Sequence, residues 1–261
     1  MLQKLIIKMR CMAFGMLKGY GGTEIHGWLF NWLKEIAPDL SSSIHDMDEK
    51  PFVIGPVNGG KKERGKIFLD ENSEYSFSLA SLNQEMYKVL EMISKELKGT
   101  KIQLGSGKLL CTEIIPIFGE NGLTYFDLLE KNEISSEITL EFRSPTSFRQ
   151  QGIQEVFPLP NLVFGSILRK WNSFSPVVLT DGVLNTKIFV SKYKLKTELV
   201  DYSIYKIVGC VGNCSYIIDK SEPSHKKRML HSLAAFADIA AIGYKTSMGL
   251  GDSRYILEKR R

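Results

Sequence analysis

Ile242-Gly243-Tyr244-Lys245-Thr246-Ser247-Met248-Gly249-Leu250-Gly251-Asp252 follows an alanine-rich run with helical patterning at 229–241 and precedes a strand-like run at 254–257. Its glycines are spaced G-x5-G-x-G. Glycine tolerates positive φ, so the backbone here can turn tightly and aim several N–H groups at one point. Lys245, Thr246 and Ser247 add a charge and two hydroxyls. Two readings stand at this level: a helix C-cap followed by a glycine-rich turn, or a concavity that receives a phosphate. A P-loop is excluded. It requires G-x-x-x-x-G-K-[ST] between a strand and a following helix, whereas the order here is helix, glycines, strand.

Working back from this stretch, the second half reads as a strand at 137–143, a helix at 159–174, strand regions at 187–196 and 203–216, a helix at 224–241, the glycine loop and a last strand. The first half gives the same order. A strand at 2–9 leads into an irregular connector at 9–22, and Thr23 is the expected N-cap of a helix at 24–36. Pro38 ends that helix, and a short helical turn closes at His45. Strands at 52–57, 66–69 and 75–79, a helix at 83–97 and closing strands within 101–118 follow. The linker at 120–132 holds a short helical segment at 125–129. The predicted fold is α+β: two tandem ferredoxin-like βαββαβ units, residues 1–122 and 123–261.

With 261 residues, 43% apolar and 24% charged, the chain has the composition of a globular protein of one or two domains. The net charge of +5 permits an RNA partner without demonstrating one. Cys210 and Cys214 lack a second pair or a histidine at zinc spacing, so neither a metal nor a cofactor is expected. No apolar run reaches membrane-spanning length and no signal peptide precedes the first strand, which predicts no membrane association and a cytoplasmic location.

The glycine loop between helix and closing strand resembles that of the CRISPR repeat-processing endoribonucleases of the RAMP superfamily. Leu40-Ser-Ser-Ser-Ile-His45-Asp with Lys50-Pro51-Phe52 resembles the family's helix-end histidine and the strand after it. Phe142-Arg-Ser-Pro-Thr-Ser-Phe148-Arg149, then residues 158–164 and Arg169-Lys-Trp171, resembles the opening of its second unit. The resemblance implies cleavage of precursor CRISPR RNA within its repeats, without metal. A ribose 2′-hydroxyl attacks the adjacent phosphate, leaving a 2′,3′-cyclic phosphate and a 5′-hydroxyl. The implied partners are repeat RNA and, as a second class, other subunits of a CRISPR interference complex. The alternative is a non-catalytic repeat-RNA-binding or scaffold subunit, against which His45 argues.

That chemistry asks for a base, an acid and positive charge on the phosphate. Of the four histidines, His225 and His231 lie in the last helix beside Lys226, Lys227 and Arg228 and read as part of a solvated face. His45 stands before a polar loop, and the resemblance places the family's catalytic histidine there. Histidine is the side chain that titrates nearest pH 7. Lys50 is the nearest cation. Some relatives carry a tyrosine near the position of Phe30, which cannot transfer a proton. His26 or Tyr20 is the candidate for that role, and His26 reads equally as packing beside Trp28 and Phe30. Lys187, Lys192, Lys194 and Lys196 mark a strand whose last three lysines share one face. They read as RNA contacts or as a solvated edge. Arg143, Arg149, Arg169, Lys170 and the loop residues Lys245, Thr246 and Ser247 complete the RNA-binding candidates, with Gly243, Gly249 and Gly251 shaping the loop.

Overall fold

The computed structural model describes residues 1–63, 65–130, 135–202 and 205–257. The chain divides into two compact units. The first comprises Met1–Gly122, Val200–Ile207 and Lys245–Leu250; the second comprises Leu123–Leu199, Val208–Tyr244 and Gly251–Arg261.

The first unit runs β1 (Gln3–Ala13), β2 (Gly15–Lys18), α1 (Gly22–Ile36), α2 (Pro38–Asp46), β3 (Phe52–Ile54), β4 (Lys61–Glu63), β5 (Lys66–Leu69), β6 (Glu74–Ser81), α3 (Gln84–Glu96), β7 (Lys101–Leu104) and β8 (Gly107–Pro116). Its main sheet has the order β3-β6-β1-β8-β7. Without the β7 edge, this is the order of a ferredoxin-like βαββαβ unit. The central strand β1 puts Leu5, Ile7, Met9 and Cys11 on one face at period two, where they join Ile25, Leu29 and Leu33 of α1 and Met86, Leu90 and Ile93 of α3 in one core. Asn83 caps α3, its side-chain oxygen accepting from the Met86 N–H at 2.9 Å.

Three expectations are corrected here. The connector expected at 9–22 is ordered: β1 continues to Ala13, paired to β6 as far as Arg10 and to β8 up to Ala13. Thr23 lies inside α1; the N-cap is Gly21, whose φ of 77° turns the chain into the helix. The strand at 66–69 does not enter the main sheet. It pairs with β2 and β4 in a separate three-stranded sheet.

The second unit runs α4 (Tyr125–Leu129), β9 (Glu137–Thr146), β10 (Phe148–Gln150), β11 (Ile153–Glu155), α5 (Pro160–Phe174), β12 (Ile188–Asp201), β13 (Lys206–Ile218), α6 (Ser224–Ala240) and β14 (Ser253–Ile256). Its sheet order, β12-β13-β9-β14, repeats the ferredoxin-like arrangement. β10 and β11 form a hairpin of their own. The expected strand start at Ser203 and the linker's end at 131–132 lie outside the described residues. Trp171 of α5, Phe236 of α6 and Tyr125 of α4 pack ring against ring with centroids 4.8–5.4 Å apart, which joins the three helices over the sheet. Among the described residues no helix is long and apolar enough to cross a membrane.

Candidate active site in the first unit

His26 and Phe30 stand one turn apart on α1, so their rings lie on one face, with centroids 4.6 Å apart. Phe30 meets His45 of α2 edge to face, at 89° and 6.2 Å, and packs against Phe52 of β3 at 6.0 Å. Phe52 also reaches the His26 ring, at 5.9 Å. Two imidazoles are thus grouped around two phenyl rings, one of which, Phe52, is buried.

The two histidines differ in setting. The His45 side chain is 78% exposed, and its Nδ1 lies 3.5 Å from the Asp46 carboxylate. His26 is half-buried, and its imidazole is pushed down to about 4. Burial is the largest cause, followed by the positive charges of Lys50, His45 and Lys245. Packing beside Phe30 and membership of a charged cluster therefore hold together for His26.

Lys50 directs its ammonium back at the end of α2. Its Nζ donates to the carbonyl oxygens of Ile44 at 2.9 Å and His45 at 2.8 Å, and to that of Met47. Tyr20 is buried, with the Lys62 ammonium 3.6 Å from its ring centroid.

Residues 245–250 of the glycine loop belong to this unit. The 3-10 turn Thr246–Met248 packs on α1 and β3. The approach is close: a Cβ on Gly22 would lie 2.0 Å from the Met248 carbonyl oxygen, so only glycine fits at the start of α1. Lys245 has φ 58°, in the left-handed region, and its Nζ lies 4.6 Å from the Tyr205 ring centroid. Thr246 is buried and Ser247 partly so. The structure thus brings His26, His45, Lys50 and Lys245 into one neighbourhood. No pattern in the sequence links Tyr205 to it.

The remaining candidates lie in the second unit. Gly243 has φ 86°, and a Cβ there would meet the Ser147 carbonyl oxygen at 2.3 Å. The N–H groups at this end of the loop are spent within the unit. Gly243 donates to Ser166 Oγ at 2.8 Å, Tyr244 to Ser147 O at 2.8 Å and Gly251 to Pro145 O at 3.1 Å. The helix-end turn is therefore the correct reading of Gly243 and Gly251, and these N–H groups are not aimed at a phosphate. The φ of 82° at Gly249 makes the loop's second bend, within the first unit.

Arg143 binds Asp252 Oδ1 at 3.0 Å and Ser253 O at 3.3 Å. Arg149 donates to the Tyr244 hydroxyl at 3.2 Å. Lys187, Lys192, Lys194 and Lys196 are all exposed on or beside β12, an edge strand. Lys192 faces Glu137 at 3.7 Å and Lys196 faces Glu198 at 2.7 Å. Lys170 corrects its expectation: it is 2% exposed, and its Nζ donates to Ala240 O at 2.8 Å and Ala241 O at 3.4 Å. It fastens the end of α6 and does not face solvent. Its place one residue before Trp171 and three after Ile167, on the buried stripe of α5, was the signal for this. Among the described residues no three His, Cys, Asp or Glu side chains come together as a metal-holding group.

The fold is that of two ferredoxin-like units in tandem. Residues 140–253 match the family described as CRISPR-associated endoribonuclease Cas6. The Streptococcus thermophilus CRISPR-associated endoribonuclease Cas6 is 23% identical over 247 residues, covering 91% of each chain. Among solved structures, a Cas6 product complex superposes with a TM-score of 0.79 at 24% identity, covering 98% of this chain and 99% of that one. A Thermus thermophilus Cas6 product complex gives a TM-score of 0.80 at 21% identity, covering 98% of this chain and 100% of the other. The chain thus matches the Cas6 family model over much of its second half and shares the fold of solved Cas6 structures.

Proposed function

We propose that this chain is a metal-independent endoribonuclease that cuts CRISPR precursor RNA within its repeats, by attack of a ribose 2′-hydroxyl on the neighbouring phosphate. The products are a 2′,3′-cyclic phosphate and a 5′-hydroxyl end, and the result is mature guide RNA. The observation that carries this reading is the grouping of two histidines in opposite settings, one solvent-facing and one desolvated, beside two lysines.

The settings support one division of the roles. A histidine at about 4 is protonated in only about one molecule in a thousand at pH 7. His26 therefore suits acceptance of the 2′-hydroxyl proton and cannot serve as the resting proton donor. His45, reachable from solvent, donates to the departing 5′-oxygen. Lys245, in the same charged neighbourhood, stabilises charge on the phosphate. The lysines of β12, with Arg149, are proposed to hold the RNA backbone, since exposed cations on an edge strand can follow phosphates. Arg143 is proposed to do so only through whatever positive field its Asp252 pairing leaves. The repeat RNA is the proposed partner, other CRISPR subunits a second, and the cytoplasm the proposed location.

The test is incubation with repeat RNA from the protein's own locus in EDTA, with both product ends mapped. A single cut within the repeat, with cyclic-phosphate and 5′-hydroxyl ends, is expected. RNA that is bound and left whole would favour a binding or scaffold subunit instead.

A further inference from the structure

We propose that Lys50 is a positioning residue: its ammonium clamps the final carbonyls of α2 to the sheet and so fixes how His45 is presented, without itself meeting the scissile phosphate. This rests on the reading that His45 transfers a proton.

An ammonium has three N–H bonds. Lys50 aims its own at three carbonyl oxygens, those of Ile44, His45 and Met47. One of the three belongs to the proposed proton donor itself. These oxygens stand at the C-terminal end of α2, where unpaired carbonyls carry partial negative charge and favour a cation.

The need for a clamp follows from the helix. α2 has nine residues, too few to be stable on helical hydrogen bonds alone. The Met47 N–H reaches Ile44 O at 3.3 Å, a long closing bond. The His45 ring is largely exposed and meets Phe30 edge to face, so its direction depends on the backbone that bears it as well as on that contact.

The base of the clamp is rigid. Pro51 follows Lys50 and restricts the Lys50 backbone to extended conformations. The Pro51 carbonyl accepts from the Leu82 N–H at 2.8 Å, and Phe52 pairs with Ser81 in the main sheet. A flexible side chain thus springs from a fixed strand end and holds a short helix by its last turn. To reach a phosphate, the same ammonium would have to release these oxygens.

Two variants separate clamp from direct charge. Lys50→Met removes both the ammonium and its bonds. Lys50→Arg keeps the charge, but a planar guanidinium does not reproduce a three-pronged ammonium. Each is measured for single-turnover cleavage of repeat RNA and for binding of the same RNA with one 2′-deoxyribose at the cleaved nucleotide, across a salt series. Amide hydrogen exchange at residues 44–47 is followed alongside. We expect both variants to cleave about 10–100-fold more slowly, the range below loss of a whole proton-transfer group. Binding and its salt slope should stay as in wild type, and exchange at 44–47 should quicken. Restoration of cleavage by Lys50→Arg, a slope lowered by roughly 0.7 to 0.9 in Lys50→Met, or undiminished cleavage by Lys50→Met would each overturn the proposal. If the wild-type protein cuts no repeat RNA, the endoribonuclease reading fails separately. Exchange then still decides the clamp: quickened exchange supports it and unchanged exchange refutes it.

Discussion

The two units share a strand order and place their basic residues differently. In each, a lysine holds the last carbonyls of a helix that precedes a loop of interest: Lys50 at the end of α2, Lys170 at the end of α6. Lys170 does so from inside the core, at 2% exposure, where it settles the backbone entering Gly243. Lys50 is partly exposed and ends beside a histidine that solvent can reach. The second unit's remaining lysines at 187–196 are displayed on an edge strand. The same residue type thus fastens the entry to a loop, holds the end of a helix beside His45, or lies exposed on an edge strand. Burial and the acceptors within reach of Nζ distinguish these uses.

The largest expected effect is on the reactive group. His45→Ala should slow single-turnover cleavage of repeat RNA by about 10²–10⁴, while binding holds, because one imidazole supplies little of the phosphate neutralisation that dominates RNA affinity. Wild-type-like cleavage would remove His45 from the site. Next comes the buried clamp. Lys170→Met leaves the end of α6 without its donor and should lower stability by about 1–3 kcal/mol in denaturant titration. Lys50→Met, at a wetter helix end, should cost less than about 1 kcal/mol. Equal losses would erase the distinction between the two lysines.

The displayed lysines should show themselves in salt. Changing Lys192, Lys194 and Lys196 together to Ala should weaken RNA binding and lower the log–log salt slope by roughly 0.7 to 0.9 for each phosphate that is no longer neutralised. An unchanged slope would make β12 a solvated edge, protected from pairing by its charges.

A separate effect is on stability against pH. His26 titrates at about 4 in the folded chain against 6.5 for an ordinary histidine. The unfolded chain therefore takes up a proton that the folded one refuses, and stability falls as pH drops through that window. Thermal unfolding of His26→Phe, followed from pH 7 to pH 4, should lose less of its stability than wild type does. An equally steep decline in both would show that His26 is not desolvated.

The repeat of element order was legible because it rests on periodicity: α3, α5 and α6 fall within about a residue of where their apolar spacing puts them. What escaped was set by partners far along the chain. The second half of β1 looks irregular alone and is a strand because β6 pairs it as far as Arg10 and β8 up to Ala13. The strand at 66–69 has a clear pattern, and nothing local says which sheet it joins. Thr23 has the right chemistry for a cap, but Gly21 turns the chain two residues earlier. At the site, the sequence shows Lys50 five residues from His45. It cannot show the side chain curling back to the carbonyls, which depends on where β3 anchors Pro51. It also leaves His26 open between packing and chemistry, because desolvation by Phe30 and Phe52 exists only in the folded chain.

The central claim, that the RNA's own 2′-hydroxyl is the nucleophile, is tested most directly by the substrate. Repeat RNA carrying a single 2′-deoxyribose 5′ of the scissile phosphate is compared with all-ribose RNA in EDTA, at matched occupancy. The account predicts equal binding, cleavage of the all-ribose strand to a cyclic phosphate, and no cleavage of the deoxy strand. Cleavage of the deoxy strand at the same bond would contradict it, since water or a protein group would then be the attacking nucleophile.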